Sequence, residues 1–290
     1  MRSIVSAVLT FFSHLFLIFT RNKIRVLAFH KVDNTVLFEK KIAYLKSRYN
    51  IISLNEFKDF IFNGKKLPSK ALLLTFDDGD YSLYTNALPI LKKYNTAITL
   101  FIITGLIDTN LPFWWDEIRY YFPKSEWLKQ VGAVKKLSDK SRIEFINNLR
   151  KNSDKPIFNY RQLTTSELKE LNAAGVSIAN HSHTHPMFDK CELDQMKNEL
   201  ILSSSFLKKL NFDSDIFAYP NGNYSVESEQ SIIDNGIKVC FLFDHKMNSQ
   251  KINPLRVSRI KVSDTQSASE FISKVAGFHS FLFHLKKRLS

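Results

Sequence analysis

The stretch "LLLTFDDGD", residues 72–80, runs from apolar and β-prone residues directly into two adjacent carboxylates and a glycine. Asp77 and Asp78 are neighbours, and each disfavours the ionised form of the other when they lie close together. The simplest interpretation is a turn or a helix cap, because Asp and Gly are common in both. The alternative is a chemical role for the pair. The remainder of the chain decides between these two interpretations.

The composition describes a large, basic chain. It has 290 residues, of which 44% are hydrophobic, so it can bury the core of one large domain or two small ones. A net charge of +13 favours anionic partners such as membrane surfaces or sugar phosphates. No cluster of Lys and Arg or nucleic-acid fingerprint is present, so no nucleic-acid partner is expected. Cys191 and Cys240 form no CxxC pair, which is compatible with a reducing compartment.

The N-terminal residues 1–22 contain an apolar run from Ile4 to Phe19. As a helix, this run would be roughly 24 Å long at ~1.5 Å per residue, shorter than a ~30 Å hydrocarbon core. No small-residue cleavage site follows it, and the basic residues after it favour a cytosolic position for the main domain. We therefore expect a hydrophobic helix that associates with the membrane from the cytoplasmic side. A periplasmic or extracellular location is the alternative.

Short apolar runs alternate with segments of helical period along the rest of the chain. The predicted strands are 24–29, 50–54, 71–76, 97–103, 176–180, 215–219, 238–243 and 257–262. Such alternation predicts a parallel sheet covered on both faces, and seven or eight units favour a barrel. We expect one domain over residues 23–264, with an insertion near 105–160. An amphipathic, basic helix is expected over 265–290.

Histidines and carboxylates follow several of these predicted strands. His30 follows the first, the aspartate pair follows "LLLTF", "NHSHTHP" (180–186) follows another, and "YPNG" (219–222) another. Loops at the C-terminal ends of barrel strands carry the chemistry, so these residues are expected at one rim. Alone, His30 is compatible with a structural histidine and "YPNG" with a β-turn. Three histidines within five residues favour a metal site more strongly.

The "HSHTH" segment offers two pairs of ligands. His181 and His183 would share a face on a strand, whereas His181 and His185 would share a face on a helical turn. Either pair with one carboxylate gives three ligands and an open position, which is typical of catalytic zinc. One aspartate of the pair can then bind the metal, while the other remains free as a base.

The segments "TFDDG" and "NHSHTHP" resemble the first two motifs of the polysaccharide deacetylases, also called the NodB-homology or carbohydrate esterase 4 family. This resemblance implies a distorted (β/α)7-type barrel, here with appended N- and C-terminal helices. It also implies that Asp77 is the general base and that Asp78, His181 and His185 bind a divalent metal, with zinc the expected ion. His183 then falls at a variable position of the motif.

Other parts of the chain match the family only in part. "FAYPNG" resembles the third-motif region, with Tyr219, Pro220 and Asn221 as substrate-binding candidates, but Ala218 stands where many members have an arginine. The Asp-Trp and Leu-x-His motifs of the family are not evident. "LAFHKV" is similar to a subgroup of poly-N-acetylglucosamine deacetylases, which implies that His30 is the general acid. "PLRVSRIKV" resembles a late segment of that subgroup, with Arg259 replacing the missing arginine near substrate.

The resemblance implies metal-dependent removal of acetyl groups, most simply N-acetyl, from a polysaccharide or lipid-linked saccharide in bacterial surface-polysaccharide biosynthesis. "PFWWDEIRYYF" (112–122) is similar to deacetylases of such biosynthesis. Its Trp114 could stack on a sugar or pack the insertion onto the barrel. The expected partners are an N-acetylated saccharide and a membrane surface. Two alternatives remain: a non-catalytic carbohydrate-binding protein, and a deformylase or other amidase acting on a lipid-linked sugar.

Overall fold

The computed structural model describes residues 12–13 and 15–281. Residues 12–13 and 15–19 are helical. The predictions of terminal helices over 1–22 and 265–290 extend beyond this part of the chain at 1–11, 14 and 282–290, which lie outside the described residues. Within the described part, no helix combines the length and apolar character that crossing a membrane requires.

The predicted strands all occur, as one parallel sheet of eight strands. They are β1 (Arg25–Phe29), β2 (Asn50–Ile52), β3 (Ala71–Phe76), β4 (Ile98–Ile102), β5 (Val176–Asn180), β6 (Asp213–Ala218), β7 (Val239–Phe241) and β8 (Ile260–Lys261). Their order is β7-β6-β5-β4-β3-β1-β8, and β2 pairs with the start of β3. A parallel bridge between Phe241 and Val257 links β7 to the segment before β8 and brings the two edges of the sheet together. The predicted barrel-like α/β fold is confirmed.

Helices follow most of the strands, as the alternation predicted. They are α1 (Thr35–Arg48), α2 (Leu54–Asn63), α3 (Leu88–Lys93), α4 (Trp114–Tyr121), α5 (Trp127–Val134), α6 (Asp139–Asn152), α7 (Thr165–Ala173), α8 (Leu193–Lys209), α9 (Val226–Asp234) and α10 (Ala268–Ala276). A π-helical turn, Leu83–Ala87, precedes α3. Local signals set several helix starts: Thr164 and Glu167, for example, form a capping box at α7.

The core has two layers because alternate residues of each strand point to opposite faces. Leu72, Leu74 and Phe76 of β3 belong to the cluster beneath the outer helices. Leu73 belongs to a second cluster, which contains residues of β1 to β7 and fills the inside of the curved sheet. The buried Arg259 guanidinium lies near the rings of Phe101 and Phe241, which belong to this inner cluster, and near the ring of Phe243. The inner layer therefore ends at a charged group on the side where the strands end.

The segment between β4 and β5 carries α4, α5 and α6. Its apolar cluster contains Trp114, Ile118, Val134, Ile146 and Met187. Glu117 of α4 accepts two hydrogen bonds of 2.7 Å from Arg150 of α6, which ties these two helices together. This arrangement holds α4 and α5 against the rim where the strands end.

Gly222, in the loop after β6, is expected to be essential for stability. It has a φ of +75°, and a Cβ here would overlap the Cβ of Phe243 and lie 2.5 Å from its backbone nitrogen. We expect Gly222→Ala to lower the free energy of unfolding by about 3 kcal/mol, through strain and overpacking. Gly236→Ala is the matched control, because its φ is +77° and no described atom lies within 4 Å of where its methyl group would be. Urea unfolding should show a smaller loss for it; equal losses would contradict the packing explanation.

Candidate active site

The aspartate pair lies in a tight turn directly after β3. The backbone N–H of Asp77 donates to Phe29 of β1, so this residue still continues the sheet. Asp78 and Gly79 then both adopt positive φ, 74° and 81°. A positive φ is costly for a residue with a side chain and is often found at functional sites. This turn places both carboxylates at the rim, and both are buried.

The "HSHTH" segment forms a loop after β5 that Glu199 of α8 holds in place. The Glu199 carboxylate accepts hydrogen bonds from the backbone N–H groups of His183 and Thr184 and from the Thr184 hydroxyl, at 2.6–2.8 Å. His185 adopts a φ of 58°, and its N–H donates to Ser182 Oγ. The His183 ring contacts Thr104 Oγ1 at 3.0 Å instead of the aspartates. Of the two predicted ligand pairs, the loop therefore brings together His181 and His185.

Three predicted ligands converge. One ligand atom from each of Asp78, His181 and His185 lies within 4.8 Å of the others, and all three residues are buried. The distances from Asp78 Oδ1 are 3.4 Å to His181 Nε2 and 3.6 Å to His185 Nε2. His181 Nδ1 lies 2.7 Å from the carbonyl oxygen of Ala218, which can only accept, so Nδ1 is the donor and Nε2 is the nitrogen that faces Asp78. Two imidazoles and one carboxylate fit a divalent metal such as zinc.

The electrostatics of this cluster favour an ionised Asp78 beside a neutral His185. Burial raises the pKa of Asp78, but the hydrogen bond with His181 and the nearby histidine charges outweigh it, so the pKa lies below its usual value. Burial, together with repulsion from His181, lowers the pKa of His185 to about 3. Metal ligands must be deprotonated, and these shifts favour that form at neutral pH.

Arg259 pairs with the other aspartate. Its guanidinium donates to both Asp77 oxygens, at 2.6 and 2.8 Å, and also to the backbone oxygen of Leu242. Burial raises the pKa of Asp77, but Arg259 foremost, with His181 and His30, brings it below the usual value. Asp77 Oδ2 lies 4.0 Å from His181 Nε2, so it borders the ligand cluster. Arg259 thus holds an ionised carboxylate beside the three predicted metal ligands.

Replacing Arg259 by methionine should change the pH dependence of turnover. Without the guanidinium, burial of Asp77 is no longer offset, so its pKa rises and the acid limb of the kcat/KM profile moves to higher pH. Loss of one partner of a buried pair also destabilises by about 3–5 kcal/mol, so circular dichroism must first show a folded variant. Arg259→Lys keeps a charge and should move the limb less. An unchanged acid limb in Arg259→Met would contradict the pairing.

A cavity of about 580 Å³ opens above these residues, within the range of small-ligand sites. Of the predicted site residues, it is lined by Asp77, Asp78, His181, His185, His30, Asn221 and Trp114. Tyr219, Pro220 and Arg259 are buried and do not line it. These three residues lie behind the cavity wall. Arg259 contacts Asp77, which lines the cavity, but does not line the cavity itself.

His30, the proposed general acid, lies at the end of β1 and faces the cavity. Its ring meets Phe243 edge-on at 5.7 Å. Burial lowers the pKa of His30, whereas Asp78 and Asp77 act to raise it. The free protein therefore favours neutral His30, and the two aspartates are the local groups that stabilise its charged form.

The two tryptophans have different surroundings. Trp114 is buried in the apolar cluster of the insertion, with Arg142 over its ring, although its edge reaches the cavity. Trp115 is half-buried, stacks on Phe113 at 5.0 Å and meets the His185 ring at 4.8 Å. Packing of the insertion thus accounts for Trp114, while Trp115 covers His185, one of the predicted metal ligands.

Sequence reasoning missed three residues at the site. Glu199 had no motif, and only the loop that it binds could have indicated its role. Lys135, at the end of α5, donates to Asn221 Oδ1 at 2.7 Å across the cavity. Lys261, the last residue of β8, also lines the cavity. Its position near the end of the predicted strand 257–262 was a usable signal, since strand ends meet at the rim.

Comparison with known proteins agrees with this fold. The family model for polysaccharide deacetylase matches residues 64–240. The poly-beta-1,6-N-acetyl-D-glucosamine N-deacetylase of Staphylococcus aureus is 28% identical over 243 residues, covering 83% of this chain and 71% of that protein. The solved Streptococcus pyogenes deacetylase PplD, in complex with acetate, has a TM-score of 0.64 at 22% identity, covering 88% of this chain and 98% of that one.

A second solved structure, IcaB from Ammonifex degensii, has a TM-score of 0.63 at 19% identity, covering 88% of this chain and 97% of that one. At such identities, the two structures establish the shared fold. The family match covers more than half of the chain. The chain therefore belongs to the polysaccharide deacetylase family, and it is a hydrolase of the carbohydrate deacetylase class.

Proposed function

We propose that this protein removes N-acetyl groups from an amino sugar of a bacterial surface polysaccharide, or of its lipid-linked precursor, with a divalent metal. The observation that carries the proposal is the convergence of Asp78, His181 and His185 beside the Arg259-paired Asp77 in one cavity. The named activity of the Staphylococcus aureus relative supports the choice of an N-acetylated glucosamine polymer.

Asp78, His181 and His185 would hold the metal. When bound, a divalent ion polarises the acetyl carbonyl and lowers the pKa of its water ligand. Asp77, held ionised by Arg259, accepts the proton of the attacking water. The backbone N–H of Asn221, a residue of the cavity wall, would donate to the developing oxyanion. His30 in its charged form, which Asp78 and Asp77 stabilise, gives a proton to the departing nitrogen or stabilises charge near it; the products are acetate and a free amine.

A membrane surface is the proposed location. Phe12, Ile18 and Phe19 are exposed at the start of the described chain, close to the basic residues Arg21 and Lys23. Exposed apolar side chains beside cations are typical of segments that lie in a membrane interface. This arrangement supports access to lipid-linked substrate.

The test is acetate release by zinc-loaded protein. N-acetylated glucosamine oligosaccharides and lipid-linked N-acetyl sugars in vesicles are incubated with the protein before and after metal removal by a chelator. Release that stops on chelation and returns with zinc supports the proposal. Stoichiometric metal binding with no release would instead favour a carbohydrate-binding protein, and release of formate from formylated sugars would favour a deformylase.

A further inference from the structure

Two lysines lie at the mouth of the cavity. Lys135 reaches the cavity from the insertion, and Lys261 reaches it from the end of β8. Among the described residues, neither ammonium has a carboxylate within 4 Å. Lys135 donates to the neutral amide of Asn221, and Lys261 lies 5.9 Å from the centre of the Phe243 ring. Neither contact neutralises the charge.

Six carboxylates line the same cavity, and five of them contact groups other than the two lysines. Asp77 pairs with Arg259, and Asp78 faces two histidines. Asp80 accepts from the Tyr160 hydroxyl and from a backbone N–H, Asp116 pairs with Arg119, and Asp264 accepts from the backbone N–H groups of Asp33 and Asn34. The sixth carboxylate, Asp33, also lines the cavity. Among the described residues, none of the six lies within 4 Å of either lysine ammonium, so both ammonium groups are unpaired at the cavity.

The charge of Lys261 affects the titration of Lys135. Burial lowers the pKa of Lys135, and the charge of Lys261 lowers it further, while Asp78 opposes this. The charge of Lys261 also lowers the pKa of His30. The lysines thus share one space with the metal ligands and the proposed acid. Two ammonium groups that line one cavity without a carboxylate partner favour the binding of an anion there.

We propose that Lys135 and Lys261 form a subsite for an anionic group, a phosphate or a carboxylate, carried by the saccharide whose acetyl group is removed. This proposal rests on the proposed function and adds to it a substrate class: an acetylated amino sugar that bears a negative charge close to the reacting acetamide. The phosphate of a lipid-linked precursor and the uronate of an acidic polymer share this chemistry. A glucosamine polymer that has lost its acetyl groups is cationic, and the same lysines repel it.

Binding is measured by calorimetry on zinc-loaded Asp77→Asn protein, which turns over slowly. The probes are N-acetylglucosamine 1-phosphate, a glucuronate-containing N-acetylglucosamine disaccharide, and neutral methyl N-acetylglucosaminide. We expect at least one anionic probe to bind about tenfold more tightly than the neutral one at low salt, since hydrogen bonds to charged groups are strong. Raising the NaCl concentration should reduce this ratio. A preference for the phosphate indicates a lipid-linked precursor, and a preference for the uronate indicates a polymer.

The added variants decide whether the lysines cause this preference. Lys135→Gln combined with Lys261→Gln should lower the anionic-to-neutral ratio to within about twofold of one, whereas the neighbouring Lys136→Gln, which does not line the cavity, should keep it. Equal binding of all probes overturns the proposal. A preference for the anionic probes that persists in the double lysine variant also overturns the proposal, because the anion would then bind to the metal. Absence of acetate release by wild-type protein would overturn the proposed function alone, because binding is measured without turnover.

Discussion

Replacing Asp77 by asparagine is expected to lower kcat for deacetylation by about a thousandfold, within the range for loss of a general base. Asparagine has nearly the same shape and can still accept from Arg259, but it cannot take up the proton of the attacking water. Because Asp77 is not among the three converging ligand residues, zinc should still bind at one ion per chain. The measurements are acetate release under saturating substrate and metal content after dialysis.

The matched comparison is Asp78→Asn, one residue along the chain. Asp78 contributes the only carboxylate of the ligand cluster, so this variant should lose metal together with activity. If Asp77→Asn lost metal to the same extent as Asp78→Asn, the division between base and ligand would be wrong. Unfolding midpoints of the two variants should be compared first, because Asp77 also neutralises the buried Arg259.

Replacing His181 by alanine is expected to abolish both metal binding and turnover. The change removes one of three ligands and leaves the carbonyl of Ala218 without its donor. Metal chemistry supplies several kcal/mol of stabilisation to the transition state. Each ~1.4 kcal/mol lost is a factor of ten, so we expect the rate to fall by about three orders of magnitude or more. Equilibrium dialysis against zinc, followed by acetate release, measures both losses.

His183→Ala is the control, because it removes a histidine from the same five-residue segment. The His183 ring contacts Thr104 and not the aspartates, so this variant should retain one metal per chain. Loss of metal from His183→Ala with retention in His185→Ala would reverse the ligand assignment. The pair of variants therefore distinguishes the two geometries that "HSHTH" allows.

Much of the fold follows from local pattern. The continuously apolar strands and the strand-helix alternation predicted the parallel sheet, and each strand signal lies within a few neighbouring residues. The order of the strands is less local. β2 pairs with the first half of β3, and β4 with the second half, so one strand serves two neighbours on the same edge. No periodicity indicates that division.

The candidate site was predictable to the extent that its residues carry motifs. The chemistry of the aspartate pair and of the histidine segment predicts a metal site with an adjacent base. The family resemblance predicts that Asp77 is the base and that Asp78 is the metal ligand. The place of Tyr219 and Pro220 behind the cavity wall was not predictable, because the direction of a side chain after a strand depends on how the following loop turns. Positive φ at Asn221 and Gly222 produces that turn.

The sequence by itself determined the class of fold, the ligand types and the expected chemistry, because these depend on residue identity and short spacing. Tertiary structure decided which groups meet across long separations. The contact of Arg259 with Asp77 joins residues 182 positions apart, and that of Lys135 with Asn221 joins residues 86 apart. Such pairs form only when strand ends and the insertion are brought to one rim. The spacing of residues along the chain does not predict these contacts. The positions of Arg259 beside the proposed base and of Lys135 at the cavity therefore became known only from the folded structure.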